Sequence, residues 1–230
     1  MTEVTANIKE KGRYYSVETT FDRIYSGFTY ICDNFIISLK KRNKIVGLIT
    51  GVSFTMGTYS NWPSSLISTL SSINLSANWL NELDLAFVNF TRNPVNGYMD
   101  LSEFVKNNWK GFRDKNIIYI DNILVKNEPG ARHILRAMLK RLRLIKNTFA
   151  VVVNSNKVHK FESELSRKMI DPHSIRKEFN KLRLSCRLKI ISDIYCCFSN
   201  LDVILPEMFE SEYIIGLHER AVKYIRKNIF

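Results

Sequence analysis

Hydrophobic positions along this chain gather into blocks that differ in period. FIISL (Phe35–Leu39) and IVGLITGVSF (Ile45–Phe54) are apolar and β-branched, and they flank the polar tip Lys40-Lys41-Arg42-Asn43-Lys44. That pattern predicts a β-hairpin. IIYIDNILV (Ile117–Val125) and TFAVVV (Thr148–Val153) are near-continuous apolar runs, the pattern of buried strands. Between them Leu135, Met138, Leu142 and Ile145 recur at helical spacing, so a helix is expected over about 130–146.

The remaining blocks complete a coarse outline. Residues 1–16 are polar and read as a flexible arm. Phe21, Ile24, Tyr25, Phe28 and Ile31 have the spacing of one helix face, predicting an amphipathic helix over 17–34. Gly47 and Gly51, inside the second hairpin arm, predict a bulge or a close backbone approach. Asn61-Trp62-Pro63 opens a helix. TRNPVNGYMD (91–100) is loop chemistry, and LSEFVKNNWKGF reads as a short helix stopped at Gly111. Later blocks predict helices over 156–169 and from 175, a strand at LKIISDIYCCF, a further strand at LDVIL, and a terminal helix over 206–230. Strands alternating with helices make a mixed α/β domain rather than a bundle.

The sharpest local feature is the junction NEPGARHILRAMLKRLRL (127–144), where a strand passes through Pro129-Gly130 directly into a helix. The first-turn amides of a helix have no intrahelical partners and lie at its positive dipole end, which favours an anion such as phosphate. Arg132, Arg136, Lys140 and Arg143 fall within about 80° of one another on that helix, beside its apolar flank.

Charge sharpens the picture. The net charge is +12, and residues 126–189 alone hold 17 Lys/Arg against 5 Asp/Glu. A block this basic implies an anionic partner: nucleic acid, an acidic surface or a phosphorylated cofactor. Trp109 and the tyrosines could stack on bases, although no RNA-recognition, KH or zinc-finger signature is present. Cys32, Cys186, Cys196 and Cys197 lack C-x-x-C spacing, so neither a zinc site nor a disulfide framework is expected. His159, His173 and His218 have no metal-ligand spacing. With no apolar run near ~20 residues and a polar first segment, the expectation is a cytoplasmic protein with no membrane span.

Helix, hairpin, long apolar strand, glycine turn, helix, strand and helix is an order that resembles the GNAT superfamily of N-acetyltransferases. KIVGLITGVSF resembles its third strand, NEPGARHILRAMLKRL its cofactor loop and helix, and VVVNSNKVHKF its fifth strand. The resemblance implies a mixed, mainly antiparallel central sheet flanked by helices over 17–205, with 206–230 packed on it. It also implies acetyl-CoA or another acyl-CoA as cofactor. Leu124, Val125, Asn127, Gly130, Ala131, Arg132, His133 and Asn154 are the cofactor-binding positions, with a backbone amide near Ile123–Val125 polarising the thioester. Two departures stand out. Arg132 occupies a small-residue position of the loop, and Phe161 replaces a tyrosine acid.

N-acyl transfer requires a base to take a proton from the amine. Asp121 is the acid inside the apolar strand, where burial would raise its pKa towards that of a working base. Glu82 and Asp84 are further candidates. Arg132, Arg136, Lys140 and Arg143 are the candidate contacts to nucleic acid, either as the transferase's substrate or as the partner of a non-catalytic binding protein.

Overall fold

The computed structural model describes residues 2–10, 13–42, 44–60, 92–93, 97–98, 108–125, 136, 138, 147–154, 158–160, 180–181, 184–198, 201–204 and 213–229. In chain order the strands are β1 (Thr2–Glu10), β2 (Arg13–Ser26), β3 (Thr29–Lys41), β4 (Lys44–Thr55), β5 (Arg92–Asn93), β6 (Gly97–Tyr98), β7 (Asn116–Val125), β8 (Thr148–Asn154), β9 (Val158–Lys160), β10 (Asn180–Lys181), β11 (Leu201–Ile204) and β12 (Tyr213–His218). The helices are α1 (Met56–Ser60), α2 (Trp109–Phe112), α3 (Leu184–Tyr195) and α4 (Glu219–Ile229).

Among the described residues ten strands form one mixed sheet in the order β1-β2-β3-β4-β7-β8-β12-β11, with β9 also on β7 and β10 on β9. Neighbouring strands are antiparallel except for β7, which runs parallel to β8 and β9. The fold is therefore α/β with a mixed, mostly antiparallel sheet. β5 and β6 pair separately, a two-stranded element where a loop was expected.

Burial explains why the central strands were legible and the outer ones were not. β8 is buried at all seven positions, and β4 at all but its two ends. Both faces are covered, so the sequence reads as an unbroken apolar run. β2 instead alternates: Tyr15, Val17 and Thr19 are buried while Ser16, Glu18 and Thr20 are half-buried. Each fully buried Val, Ile or Phe in such a layer contributes about 1.5–3 kcal/mol.

The helix expected over 17–34 is in fact the β2–β3 hairpin. Its turn at Gly27-Phe28 sets Gly27 at φ 57°, a left-handed conformation natural to glycine. The helical spacing of Phe21, Ile24, Tyr25, Phe28 and Ile31 is interrupted by that turn, and Phe28 stands fully exposed on it. Residues 2–10 are a strand paired along their length with β2, not a flexible arm. The β3–β4 hairpin forms where expected, but Lys40 is not a solvated turn residue. It is buried and ion-paired with Glu18 on β2.

Three further expectations are corrected in the second half. LKIISDIYCCF lies largely in helix α3, which buries Ile191, Ile194 and Tyr195, with Phe198 just beyond it, at helical spacing. Gly216 on β12 makes room for this packing, since a Cβ there would lie 2.5 Å from the Tyr195 ring. The Tyr195 hydroxyl donates to the Val151 carbonyl at 3.2 Å, fastening α3 to β8. Residues 158–160 and 180–181 are short strands rather than parts of helices. The terminal segment supplies strand β12 before its helix, which begins at Glu219. Phe112 in α2, with Gly111 beside it, ends the short helix near the predicted stop. The helix start at Asn61 lies outside the described residues.

Candidate functional site

β7 changes partner midway. On one edge Asn116–Ile120 lie parallel to β8, ending at Ile120↔Val153, and pairing resumes with β9 at Ile123↔Val158. On the other edge the register with β4 steps from Gly51↔Ile120 to Thr50↔Asn122. Asp121 is thus the extra residue of a β-bulge, at the position where the opposite edge also loses its partner. Bulges re-aim a side chain out of the pleat and recur next to active sites.

Local sequence builds this irregularity. A Cβ on Gly51 would lie 2.1 Å from the Tyr119 carbonyl oxygen and 2.8 Å from the Phe35 ring, so only glycine allows β4 to approach β7 this closely. Asn122 Nδ2 donates to Thr50 Oγ1 at 3.2 Å and to Asp121 Oδ2 at 2.6 Å. Asp121 and Asn122 are half-buried between Ile120 and Ile123, which are fully buried. A carboxylate is therefore held by a side-chain amide at a break in an otherwise closed apolar sheet.

Asn154 follows Val153 as Asp121 follows Ile120, each the first residue beyond the last β7–β8 pair. Asn154 is buried and pairs across to Tyr213 on β12. Leu124 and Val125 are core residues, flanked by Leu48 and Gly47 of β4 and by His159 and Lys160 of β9. Both edges of Ile123–Val125 are thus occupied by strands. Arg136 and Met138 are helical, the first exposed and the second fully buried, as a helix with one cationic and one apolar side requires. Asn127, Gly130, Ala131, Arg132, His133, Lys140, Arg143, Glu82 and Asp84 lie outside the described residues.

The sequence singled out Asp121 but not Asn122, which bonds to it, or Thr50, which bonds to Asn122. The available signal was the polar pair Asp121-Asn122 interrupting a run of apolar residues, together with Gly51 in the preceding strand. Among the described residues no group of three or more His, Cys, Asp or Glu side chains could hold a metal. Nor is any described helix long and apolar enough to cross a membrane.

A second polar cluster stands at the other end of β7. Asn116 N–H donates to the Asn147 carbonyl at 2.7 Å, and Asn147 Nδ2 donates to the Asp114 carbonyl at 2.7 Å. Buried His218 accepts the Arg220 N–H on Nδ1 at 3.3 Å and so caps α4. Burial foremost, then the nearby Lys115, holds the His218 pKa below its usual value. The Arg220 guanidinium lies 5.5 Å from the centre of the Phe112 ring, which in turn packs edge-on against His218. These contacts fasten α2, β12 and α4 together.

No family model matches this sequence, and no curated protein or solved structure matches it significantly.

Proposed function

We propose that this chain is an acyl-CoA-dependent N-acyltransferase, with Asp121 as the base that takes the proton from the acceptor amine. The observation that carries this is the position of Asp121. It is a half-buried carboxylate on a bulge, at the carboxyl side of the parallel β7–β8 contact. Ligands of open α/β sheets bind outside the carboxyl ends of parallel strands. In sequence Pro129-Gly130 follows β7 by a few residues, the spacing of a phosphate-binding loop after a strand.

The described residues fit an acyl-CoA in two respects and restrict it in one. Asp121 is oriented by Asn122, and Arg136, eleven residues after Val125 in sequence, is an exposed cation for phosphate. β9 covers the edge of Ile123–Val125, so a thioester would sit beside Asp121–Asn122 and not against the last residues of β7. Bound acyl-CoA supplies an activated acyl group that passes to the amine nitrogen with release of the thiol. Asp121 accepts the amine's proton, Asn122, itself bonded to Thr50, holds that carboxylate, and the amides of Gly130 to His133 bind phosphate. The excess of 17 basic over 5 acidic residues in 126–189 suits an anionic acceptor such as nucleic acid.

A thermal-shift titration with acetyl-CoA tests this. A ligand that binds only the native state raises its melting temperature, by more as its concentration exceeds the dissociation constant. Gly130→Val should abolish the shift while leaving the unliganded melting temperature unchanged. No shift with the parent protein would reject the proposal.

The same charge excess supports a second function, non-catalytic binding of nucleic acid. Affinity for duplex DNA would then fall with salt by ~0.9 in log–log slope per phosphate contact. Replacing Arg136 and Lys140 together with glutamate would lower both affinity and slope. Steep salt dependence without any acetyl-CoA shift would select this function over transfer.

A further inference from the structure

We infer that the outer edge of β1 is a self-association surface, and that its partner is β1 of a second copy of this chain, paired antiparallel about a two-fold axis at Ala6. The main run of the sheet, from β1 to β11, ends in two edges of unequal kind. β11 is a strand of four residues, the short edge with which sheets limit unwanted pairing. β1 is nine residues long, TEVTANIKE, without proline, and its register with β2 runs from Thr2↔Phe21 to Glu10↔Arg13 without a shift. Among the described residues β1 pairs with β2 alone. A long, regular edge of this kind is a template for another strand.

The sequence of β1 selects the occupant and the register. Centring the pair on Ala6 opposes all nine residues: Thr2 with Glu10, Glu3 with Lys9, Val4 with Ile8, Thr5 with Asn7, and Ala6 with its own copy. Opposite charges meet at two symmetry-related positions, and the β-branched Val4 and Ile8 meet at two more, both stabilising kinds of cross-strand pair. Slipping by one residue in one direction sets Glu3 against Glu10, and in the other it sets Glu3 against Ile8. Either slip also moves every residue to the wrong face. The chosen register does not. Val4, Ala6 and Ile8 are register partners of Thr19, Val17 and Tyr15, all buried, so the apolar face of the sheet would continue across the axis. A two-fold contact of this type is closed and uses the same patch on both copies.

The experiment is a charge swap on the full-length chain, read by sedimentation equilibrium across a concentration series. Lys9 is the register partner of the exposed Tyr14, and Glu3 that of the half-buried Thr20, so both substitutions are at register positions opposite residues outside the buried set. The parent protein should form dimers that dissociate on dilution. Lys9→Glu or Glu3→Lys alone places like charges opposite each other at both symmetric sites and should weaken association roughly tenfold. The double variant, Glu3→Lys with Lys9→Glu, should restore it. Circular dichroism confirms that each variant keeps its fold. A parent protein that stays monomeric at the highest concentration overturns the inference. So do dimers that the single variants leave unchanged, or that the double variant fails to restore.

Discussion

Gly51 passes so close to the Tyr119 carbonyl oxygen that a Cβ on the glycine would lie 2.1 Å from it, and Tyr119 is two residues before Asp121 on the bulged strand. The close approach and the bulge belong to one piece of geometry. The extra residue in β7 draws the backbone towards β4, and only an absent side chain permits it.

Gly51→Ala should accordingly destabilise the fold by more than the ~1–3 kcal/mol typical of overpacking, because the clash is with backbone and not with a movable side chain. Chemical denaturation would show a lower midpoint with an unchanged slope. Gly51→Ala at parental stability would mean that β4 and β7 are not apposed as described.

Asp121→Asn keeps the size of the side chain and removes its ability to accept a proton. Under the proposed transferase activity, turnover should fall about 10²–10⁴-fold, the usual contribution of a positioned general base. The acetyl-CoA-dependent thermal shift should persist, since Asp121 is not proposed to hold the cofactor. Asn122→Ala should lower turnover less, because it orients the base without replacing it. Undiminished turnover in Asp121→Asn would remove this residue from the chemistry.

His218 supplies a pH dependence of stability. Its folded-state pKa is lowered by burial and by Lys115, whereas an unfolded histidine titrates near ~6.5. On acidification the unfolded chain therefore takes up a proton first. The contribution of neutral His218 is complete above the unfolded pKa and is lost as pH falls from there towards the folded value. Glu219 opposes the shift and Arg220 reinforces it. His218→Asn, which can still cap α4 but does not titrate, should flatten the stability profile between about pH 7 and 5. A profile identical to the parent's would show that His218 does not titrate in this window.

The thiols should separate by reactivity. Burial, and then the charge of Asp33, pushes the Cys32 pKa up to about 12, while Cys196 is exposed. The thiolate is the reactive form, so iodoacetamide at mild alkaline pH should alkylate Cys196 and spare Cys32 until the protein unfolds. Mass spectrometry of the two peptides checks this. Early labelling of Cys32 would contradict its buried place on β3.

How much could be read from the sequence depended on how each element is buried. β4, β7 and β8 were legible because both faces are covered, and such strands admit almost nothing but apolar residues. Asp121 was legible for the same reason, as an acid where the pattern allows none. α3 and the β2–β3 hairpin were not. Ile190, Ile191, Ile194, Tyr195 and Phe198 form an apolar run short enough to serve as strand or helix, and it is the docking of Tyr195 over Gly216 that makes it a helix. Along β2 the apolar residues can be counted at a period of two or near four, and pairing with β1 and β3 decides between them. The bulge lay further still from the sequence. A register step is a relation between two strands separated by more than sixty residues, here Thr50 and Asn122, and neither strand carries it alone. Local pattern fixed where this chain buries its surface, and the pairing of distant segments decided where that burial is interrupted to leave a carboxylate in reach.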